Sequence, residues 1–374
     1  MSSHEASGSE PALERAVSSE RPLSDSTTRE SLPDTVSSDT REPLPDAIPS
    51  GTRDVLPDEM RELRALQDRL RGVFERAGYG EVYTPALEYE SPLVPTREHP
   101  EWSGPRPAYR VFDEHGNVLA LRSDMTVPIA RLVATRYRQA DPPLRFCYFA
   151  HAYRGVRPQR GQSRELLQAG IELIGADGPE GTAEVLTVLC DALDAAGLRS
   201  YRVGLGDASL YPALLETAGV PDGPRERMLA QLVAGDFVGL RRELDVQRLP
   251  QRQRELLLSV ARTRGGPEVL EGHAGPLEHA IAGLRALCGL LPPQAAHRII
   301  FDLGLVRNLG YYTGAVFQVY DPAHGVPIGQ GGRYDELLKR FGRPLPAVGF
   351  ALGVERVHIA LAGEERGLGT RSPA

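Results

Sequence analysis

Apolar residues recur at helical spacing over residues 57–78, where the part of the chain that can form a core begins. Pro57 suits the first position of a helix, and Gly78 suits its end. The spacing predicts a long amphipathic helix with an apolar stripe of Met60, Leu63, Leu66, Leu70, Val73, Phe74 and Ala77. A short β-like stretch containing Pro85 follows, and the proline indicates a strand end or a sheet edge.

The segments that follow alternate between extended and helical patterns without a regular βαβ series. A hairpin is predicted around the turn sequence DEHGN at 113–117, and a helix capped by Ser123 or Asp124 continues to Arg136. Further expected elements are an antiparallel pair of strands at 144–154 and 164–174, a helix at 182–196, a strand near 201–205, a largely helical stretch at about 207–292, and strands around 299–302 and 315–320. This order predicts an α+β fold with an antiparallel sheet flanked by helices.

The first 50 residues differ in composition from the rest of the chain. They contain 12 serines, 6 prolines and no aromatic residue, with 10 acidic against 4 basic residues. Such a segment cannot bury enough apolar surface to offset its ordering entropy, so we predict a disordered acidic tail over 1–50 and a folded domain over 51–374. Copies of a 12-residue repeat begin at Thr28, Thr40 and Thr52, and we interpret the first two as upstream duplicates of the folded domain's leading segment.

Composition excludes several classes of protein and of site. No apolar run is long enough to span a membrane, and the N-terminus lacks the pattern of a signal peptide. Cys147, Cys190 and Cys288 are far apart, which predicts reduced thiols in a cytoplasmic protein and no metal site. Most of the net charge of −7 lies in the tail, so the near-neutral body gives no indication of nucleic-acid binding. Lys339 is the only lysine, so arginine rather than a P-loop lysine must hold any bound anion.

The predicted strand at 164–174 carries polar residues on one of its faces. Gln168, Gly170 and Glu172 lie on the same side because alternate residues of a strand point in opposite directions. This pattern fits a sheet surface that is lined for a small polar ligand. Taken alone, however, the pattern is more typical of the solvent-facing side of an antiparallel sheet.

Four segments resemble the catalytic core of the histidine–tRNA ligases, which belong to the class II synthetases. They are LRSDMT at 121–126, YRGVRPQRGQSRELLQAGIELIG at 153–175, DLGLVRNLGYYTGAVF at 302–317 and GFALGVER at 349–356. GFALGVER alone marks only the broad class, whereas the second and third segments are independent of each other and both indicate histidine. The resemblance covers essentially all of 51–374. It implies a class II synthetase-like antiparallel sheet with a mostly helical insertion at about 222–292.

The same resemblance implies a set of binding residues. Glu172 suits an ammonium group, and two tyrosine hydroxyls suit an imidazole. Arg154 and Arg356 would contact ATP or a phosphate. The full histidine site would comprise Asp124, Thr126, Arg154, Gln168, Glu172, Arg307, Tyr311 and Tyr312. No residue receives an acid–base role, and no cofactor is implied.

Three departures from the ligase pattern weaken the expectation of catalysis. Asn308 and Gly310 stand where glycine and aspartate are usual. Gln162 replaces an arginine near the expected ATP phosphates, and adenylate formation depends on cations placed around those phosphates. Third, the resemblance to the catalytic core extends nearly to residue 374, so we expect the anticodon-reading domain of such ligases to be absent.

A histidine pocket without tRNA reading resembles the regulatory subunits of ATP phosphoribosyltransferase. GTRDVLP, LALRSDMTVPIARLVATRY and RPLPAVGFALG are more similar to that family than to tRNA ligases. The resemblance implies a non-catalytic partner of the short-form catalytic subunit, which performs the first step of histidine biosynthesis, with histidine as the feedback signal. Two alternatives remain: a truncated or split histidine–tRNA ligase, and a tRNA-independent ligase that adenylates histidine or a related amino acid.

The class II resemblance also implies self-association. In that fold the first motif, here at 79–87 with Pro85, forms a two-fold interface. We therefore expect a homodimer core inside a larger hetero-oligomer, with no nucleic-acid or membrane partner.

Overall fold

The computed structural model describes residues 48–90, 109–155, 163–272, 275–306 and 310–368. The first 47 residues of the expected tail, with the first repeat copy and most of the second, lie outside these ranges, as does Gln162, so the expectations for them stay predictions. Within the described residues, no helix is long and apolar enough to cross a bilayer.

The described elements are ten α-helices, twelve strands and three short 3-10 helices. The helices are α1 Pro57–Arg76, α2 Thr126–Arg136, α3 Gly178–Ala196, α4 Leu210–Thr217, α5 Asp222–Ala234, α6 Phe237–Val246, α7 Gln251–Val260, α8 Glu278–Leu290, α9 Pro293–Ala296 and α10 Val354–Glu365. The strands are β1 Gly80–Glu81, β2 Leu87–Tyr89, β3 Arg110–Phe112, β4 Val118–Leu121, β5 Leu144–Tyr153, β6 Glu165–Ile174, β7 Arg202–Asp207, β8 Arg264–Gly265, β9 Ile299–Asp302, β10 Ala315–Asp321, β11 His324–Arg333 and β12 Ala347–Gly353. The 3-10 helices are Pro267–Leu270, Gly275–Leu277 and Leu338–Phe341.

Nine strands form one mixed sheet in the order β1-β5-β6-β12-β11-β10-β7-β9-β8. The pairs from β5 through β7 are all antiparallel, and parallel pairing is confined to β1 with β5 and β7 with β9. A second sheet of three strands has the order β2-β4-β3. The predicted α+β class with a mostly antiparallel sheet is therefore confirmed.

Helices α1, α3, α8 and α10 cover one face of the large sheet. Ala169, Ile171 and Leu173 of β6 point into the apolar core on this side, together with Leu66 and Phe74 of α1. The alternate residues of β6 must then point to the opposite face, which α2 and the Leu338–Phe341 turn cover with a second apolar cluster. Both faces of β6 are thus enclosed. The reading of its polar face as solvent-facing is wrong.

Most sequence-based element boundaries hold within a few residues. The long first helix, the hairpin of β3 and β4, and the antiparallel pair of β5 and β6 are confirmed. Helix α3 begins at Gly178 rather than at 182, with Pro179 in its first turn. The segment at about 222–292 is mostly helical, but it is tied to the sheet because α8 packs on α3 and β8 pairs with β9.

Glycine-rich strands were the elements that the hydrophobic pattern did not predict. The GQGG sequence at 329–332 lies inside β11. A Cβ at Gly331 would lie 2.3 Å from the backbone oxygen of Gly349 and 2.5 Å from the ring of Phe317. These glycines therefore allow β11 and β12 to pack closely with their neighbours.

A pair of glycine substitutions tests this packing. A Cβ at Gly170 would lie 2.2 Å from the oxygen of Phe350, whereas one at Gly283, on the exposed side of α8, meets nothing within 4 Å. We expect Gly170→Ala to lower the free energy of unfolding by about 1–3 kcal/mol, since the sheet must shift. Gly283→Ala should raise it by about 0.5–1 kcal/mol. Urea unfolding measures both, and equal effects would contradict the assigned packing.

Candidate functional site

A polar pocket lies on the face of the large sheet that α2 covers. It is enclosed by β5, β6, β11 and β12, by the first turn of α2, and by the segment before β10. Its lining residues are Asp124, Thr126, Tyr148, Arg154, Gln168, Glu172, Tyr311, Tyr312, Gln330, Tyr334, Gly349, Phe350 and Ala351. Seven of the eight residues expected in the histidine site line this one pocket. The eighth, Arg307, lies outside the described residues, as does Asn308.

Glu172 is a buried carboxylate held by hydroxyl groups alone. Its side chain is 1% exposed. Oε1 accepts a hydrogen bond of 2.8 Å from the Thr126 hydroxyl, and Oε2 accepts one from the Tyr334 hydroxyl. Burial, with a smaller contribution from the nearby Asp124, raises the pKa of Glu172 to about 8, and the two hydroxyl donors oppose this rise. At neutral pH the carboxyl is therefore mostly protonated.

Asp124 supplies a second buried carboxyl group. Its Oδ1 accepts the backbone N–H of Val127 at 3.1 Å, so it caps α2 much as the sequence predicted. Its Oδ2 is buried without a hydrogen-bond partner among the described residues, and so is Oε1 of Gln168. Burial raises the pKa of Asp124, and the backbone N–H of Val127 and the charge of Arg154 partly oppose this. Buried acceptors without donors are rare in folded proteins, and these two both line the pocket.

Four tyrosines surround these carboxyl groups. Tyr311 stacks edge-to-face on Tyr312 and on Tyr334, with ring centroids 5.0 and 5.7 Å apart. Tyr148 lies against the same cavity, and its hydroxyl reaches the backbone oxygen of Phe350 at 3.4 Å. Burial raises the pKa of Tyr148, Tyr311 and Tyr334 well above the ordinary value, so these phenols stay neutral. They can donate or accept hydrogen bonds without adding charge.

Two arginines lie close together at one end of the site. Arg154 is the only cationic residue among those that line the pocket, and its Nε donates to the oxygen of Ser123 at 3.2 Å. Arg356 donates from Nη1 to the oxygen of Pro327 at 2.8 Å and does not line the pocket itself. Burial lowers the pKa of Arg356, and the neighbouring charge of Arg154 lowers it further. Two guanidinium groups that repel each other favour an anion between them.

Gly349, the first residue of the GFALGVER segment, makes room for the buried carboxylate. It pairs directly with Glu172 across β12 and β6. A Cβ at Gly349 would lie 1.9 Å from Oε2 of Glu172. The glycine is thus a requirement of the pocket and also of the strand pairing.

The cavity that these residues enclose is small. Its volume is about 20 Å³, close to the space that one water molecule needs. A ligand as large as an amino acid therefore has to move side chains apart. Tyr312 is the only half-buried tyrosine among those that line the pocket, so its side chain can rotate away most easily. Side-chain rotations at a binding site are common when a ligand binds.

The charges of the pocket indicate the class of ligand that it can hold. Glu172 and Asp124 offer two carboxyl groups with unused capacity for a cation, while Arg154 offers one guanidinium for an anion. A zwitterion with a further nitrogen-containing group matches this set. Within the described residues, no group of three or more His, Cys, Asp or Glu side chains could hold a metal ion.

Tyr148, Gln330 and Tyr334 are pocket residues that sequence reasoning missed. Tyr334 directly follows GQGGR, whose glycines give no apolar pattern, and Gln330 lies inside that segment. Their alternation along β11 would have placed both on the pocket face, had the segment been recognised as a strand. Tyr148 sits in a run of apolar residues on β5, where no local signal separates it from the core.

Comparisons with known proteins agree along most of the chain. A family model described as histidyl-tRNA synthetase matches residues 51–357. The chain is 39% identical over 305 residues to the ATP phosphoribosyltransferase regulatory subunit of Desulforamulus reducens, covering 80% of this chain and 75% of that protein.

Two solved structures are also similar. One, from Bacillus halodurans, is described as an ATP phosphoribosyltransferase regulatory subunit/histidyl-tRNA synthetase; it has a TM-score of 0.77 at 32% identity and covers 86% of this chain and 84% of its own. The histidine–tRNA ligase subunit of Alicyclobacillus acidocaldarius has a TM-score of 0.71 at 33% identity, and the match covers 85% of this chain and 98% of that one.

The protonated state of Glu172 predicts an unusual effect of its removal on stability. Its pKa rises from 4.5 to about 8 on folding, so its contribution to stability is complete below pH 4.5 and is lost as the pH rises to 8. Glu172→Gln avoids this loss. We expect the variant to gain stability over the wild type with rising pH, reaching on the order of 2–4 kcal/mol near pH 8. Urea unfolding from pH 5 to 8 measures the difference.

Glu184 is the matched control because its pKa shifts in the opposite direction. Arg145 donates two hydrogen bonds of 2.8 Å to its carboxylate, and these lower its pKa. Its contribution is therefore present above pH 4.5 and lost on acidification, so Glu184→Gln should be less stable than the wild type from pH 5 to 8. A Glu172→Gln protein no more stable than the wild type at pH 8 would contradict the protonated pocket.

Proposed function

Because this chain belongs to the histidyl-tRNA synthetase family and, within it, to the regulatory subunits of ATP phosphoribosyltransferase, we propose that its buried pocket binds histidine as a feedback signal. The protein is a non-catalytic regulatory subunit of histidine biosynthesis, and its partner is an ATP phosphoribosyltransferase catalytic subunit. The proposal adds the identity of the ligand, the residues that bind it, and the short form of the catalytic subunit.

The observation that carries the proposal is the pair of buried carboxyl groups, Glu172 and Asp124, neither of which forms an ion pair within the described residues. In the proposed complex, Glu172 and Gln168 accept hydrogen bonds from the α-ammonium group, and Arg154 binds the α-carboxylate. Asp124 and the tyrosines surround the imidazole. Oδ2 of Asp124 and Oε1 of Gln168, which are buried without a hydrogen-bond partner among the described residues, would then gain donors, and the Glu172 carboxyl group would gain a cation. Charge-assisted hydrogen bonds in such a buried site are about twice as strong as neutral ones.

Histidine can regulate the enzyme only if it binds the active and inactive assemblies with different affinities. The small cavity supports such a difference, because an occupied pocket must be wider than the one described here. Side chains that line it, such as Tyr311 and Tyr334, pack on each other and on α2. When histidine binds, displacement of these side chains would shift the elements packed on them and so change the surface of the subunit.

We also propose a homodimer core inside the hetero-oligomer. The small sheet exposes an apolar face on which Leu87, Tyr89 and Val111 are 44%, 58% and 42% exposed. Tyr89, Leu119 and Val111 lie side by side across its three strands. This face adjoins the segment at 79–87, the expected first motif, and apolar patches of this kind mark interaction sites.

Reconstitution with the short-form catalytic subunit of the same organism tests the function. We expect this chain to raise the rate of phosphoribosyl-ATP formation and histidine to inhibit the complex. Glu172→Gln keeps the shape of the side chain but cannot become a carboxylate, so it should still activate while the inhibitory histidine concentration rises roughly 10- to 100-fold. Glu165→Gln, an exposed residue on the same strand, serves as the control and should behave as the wild type.

Two results would overturn the proposal. One is a complex that is active but is not inhibited by histidine. The other is an equal weakening of histidine inhibition by Glu165→Gln and Glu172→Gln. Histidine-dependent exchange of pyrophosphate into ATP by the isolated chain would instead favour a histidine-activating ligase.

A further inference from the structure

Arg122 is a buried cation that has no carboxylate within ion-pair distance in the described part of the chain. Its side chain is 4% exposed. Nε donates to the oxygen of His151 at 2.8 Å, and Nη1 donates to the oxygens of Thr84 and Pro85 at 2.5 and 3.1 Å. Burial lowers its pKa, so the charge is retained at a cost that the backbone oxygens offset only partly. Such a residue fixes the positions of the segments that it joins.

Arg122 joins the segment that leads into the apolar face of the small sheet to the segment that contributes residues to the pocket. Thr84 and Pro85 lead into β2, which carries Leu87 and Tyr89 of the apolar face, and the backbone N–H of Arg122 donates to Ala86 at 2.9 Å. On the other side, the next residue, Ser123, accepts the hydrogen bond of Arg154. Asp124 of the pocket follows directly. A shift of residues 84–86 therefore moves the group that holds Arg154 and the residue that carries an unpartnered pocket oxygen.

A second arginine makes a parallel connection. Arg131 of α2 donates two hydrogen bonds of 2.6 and 2.7 Å to Glu88, which lies on β2 between Leu87 and Tyr89. Helix α2 begins at Thr126, whose hydroxyl donates to Glu172. Strand β2 is thus tied to both ends of the segment 122–131, which contributes Asp124 and Thr126 to the pocket.

We propose that Arg122 is a positioning residue through which self-association of two copies sets the affinity of the pocket for histidine. This inference rests on the proposed histidine site and homodimer. A second copy seated on the apolar face holds β2 in place, and Arg122 transmits that position to Ser123 and Asp124. Because such coupling is reciprocal and a dimer holds two pockets, saturating histidine strengthens the dimer by the square of the factor by which dimerisation strengthens histidine binding at each pocket.

The experiment compares histidine affinity with self-association in the full-length chain. Calorimetry gives the histidine dissociation constant above and below the dimer dissociation constant, and sedimentation gives the latter with and without histidine. For the wild type we expect a change of roughly tenfold in the histidine dissociation constant per pocket and, at saturating histidine, of roughly 100-fold in the dimer dissociation constant. Tyr89→Asp places a charge on the apolar face and supplies a monomer if the wild-type dimer is too tight to dilute apart.

Arg122→Lys keeps the charge but loses the planar fork that reaches three backbone oxygens. We expect it to dimerise and to bind histidine with one affinity at all protein concentrations. Arg298→Lys is the control, because Arg298 also donates to a backbone oxygen, that of Arg199, but lies near the opposite edge of the large sheet; it should keep the coupling. Glu88→Gln weakens only the second connection, that between Arg131 and Glu88. It should keep part of the coupling between histidine binding and dimerisation, and it provides a further test if Arg122→Lys fails to fold.

The outcomes separate this inference from the function on which it rests. If the wild type does not bind histidine, the proposed function itself fails. If it binds with an affinity that does not depend on self-association, only the coupling is refuted. If histidine affinity still depends fully on dimerisation in Arg122→Lys, Arg122 does not carry the coupling. The same conclusion follows if Arg298→Lys loses the coupling to the same extent as Arg122→Lys. A Tyr89→Asp protein that still dimerises would refute the apolar face as the interface.

Discussion

Burial of the Glu172 carboxyl group without a cation is the constraint on which the rest of the site depends. Desolvation in the middle of a sheet raises its pKa to about 8, and the hydroxyls of Thr126 and Tyr334 compensate only in part. A core position would be filled more stably by an apolar residue. The strand pairing is arranged around this side chain nonetheless, because Gly349 lies opposite it where any Cβ would collide. A carboxyl group kept under such conditions indicates a ligand that supplies the missing positive charge.

The surrounding structure follows from this arrangement. One side of β6 supports the pocket with the apolar core of Ala169, Ile171 and Leu173, so the other side is free to carry Gln168 and Glu172. Helix α2 brings Asp124 and Thr126 to the same place through its first turn. Arg122, just before that turn, fastens the pocket to the strand that carries the apolar face. The fold of the histidyl-tRNA synthetase family is thus retained in a regulatory subunit of ATP phosphoribosyltransferase.

Sequence reasoning succeeded where the apolar pattern was strong or a motif was specific. The stripe of α1 and the pairing of β5 with β6 could be derived from periodicity alone. Strand β11 could not, because its glycines carry no apolar signal and allow the close approach of neighbouring strands. Strand β12 has a mostly apolar sequence, but it lies in a segment that was interpreted from its motif alone. Because β11 was not recognised as a strand, Gln330 and Tyr334 were not predicted as pocket residues. Composition also could not show that the polar face of β6 is covered, since α2 and the turn at Leu338–Phe341 come from distant parts of the chain.

The protonation of Glu172 before and after histidine binding is the most direct test of the account. Difference infrared spectroscopy at about pH 7 detects the C=O stretch of a protonated carboxylic acid, and its absence from Glu172→Gln assigns it. The account predicts that the band is present without histidine and disappears when histidine binds, as the carboxylate forms beside the ammonium group. A band that persists in the complex, or one that is missing before histidine is added, would contradict it.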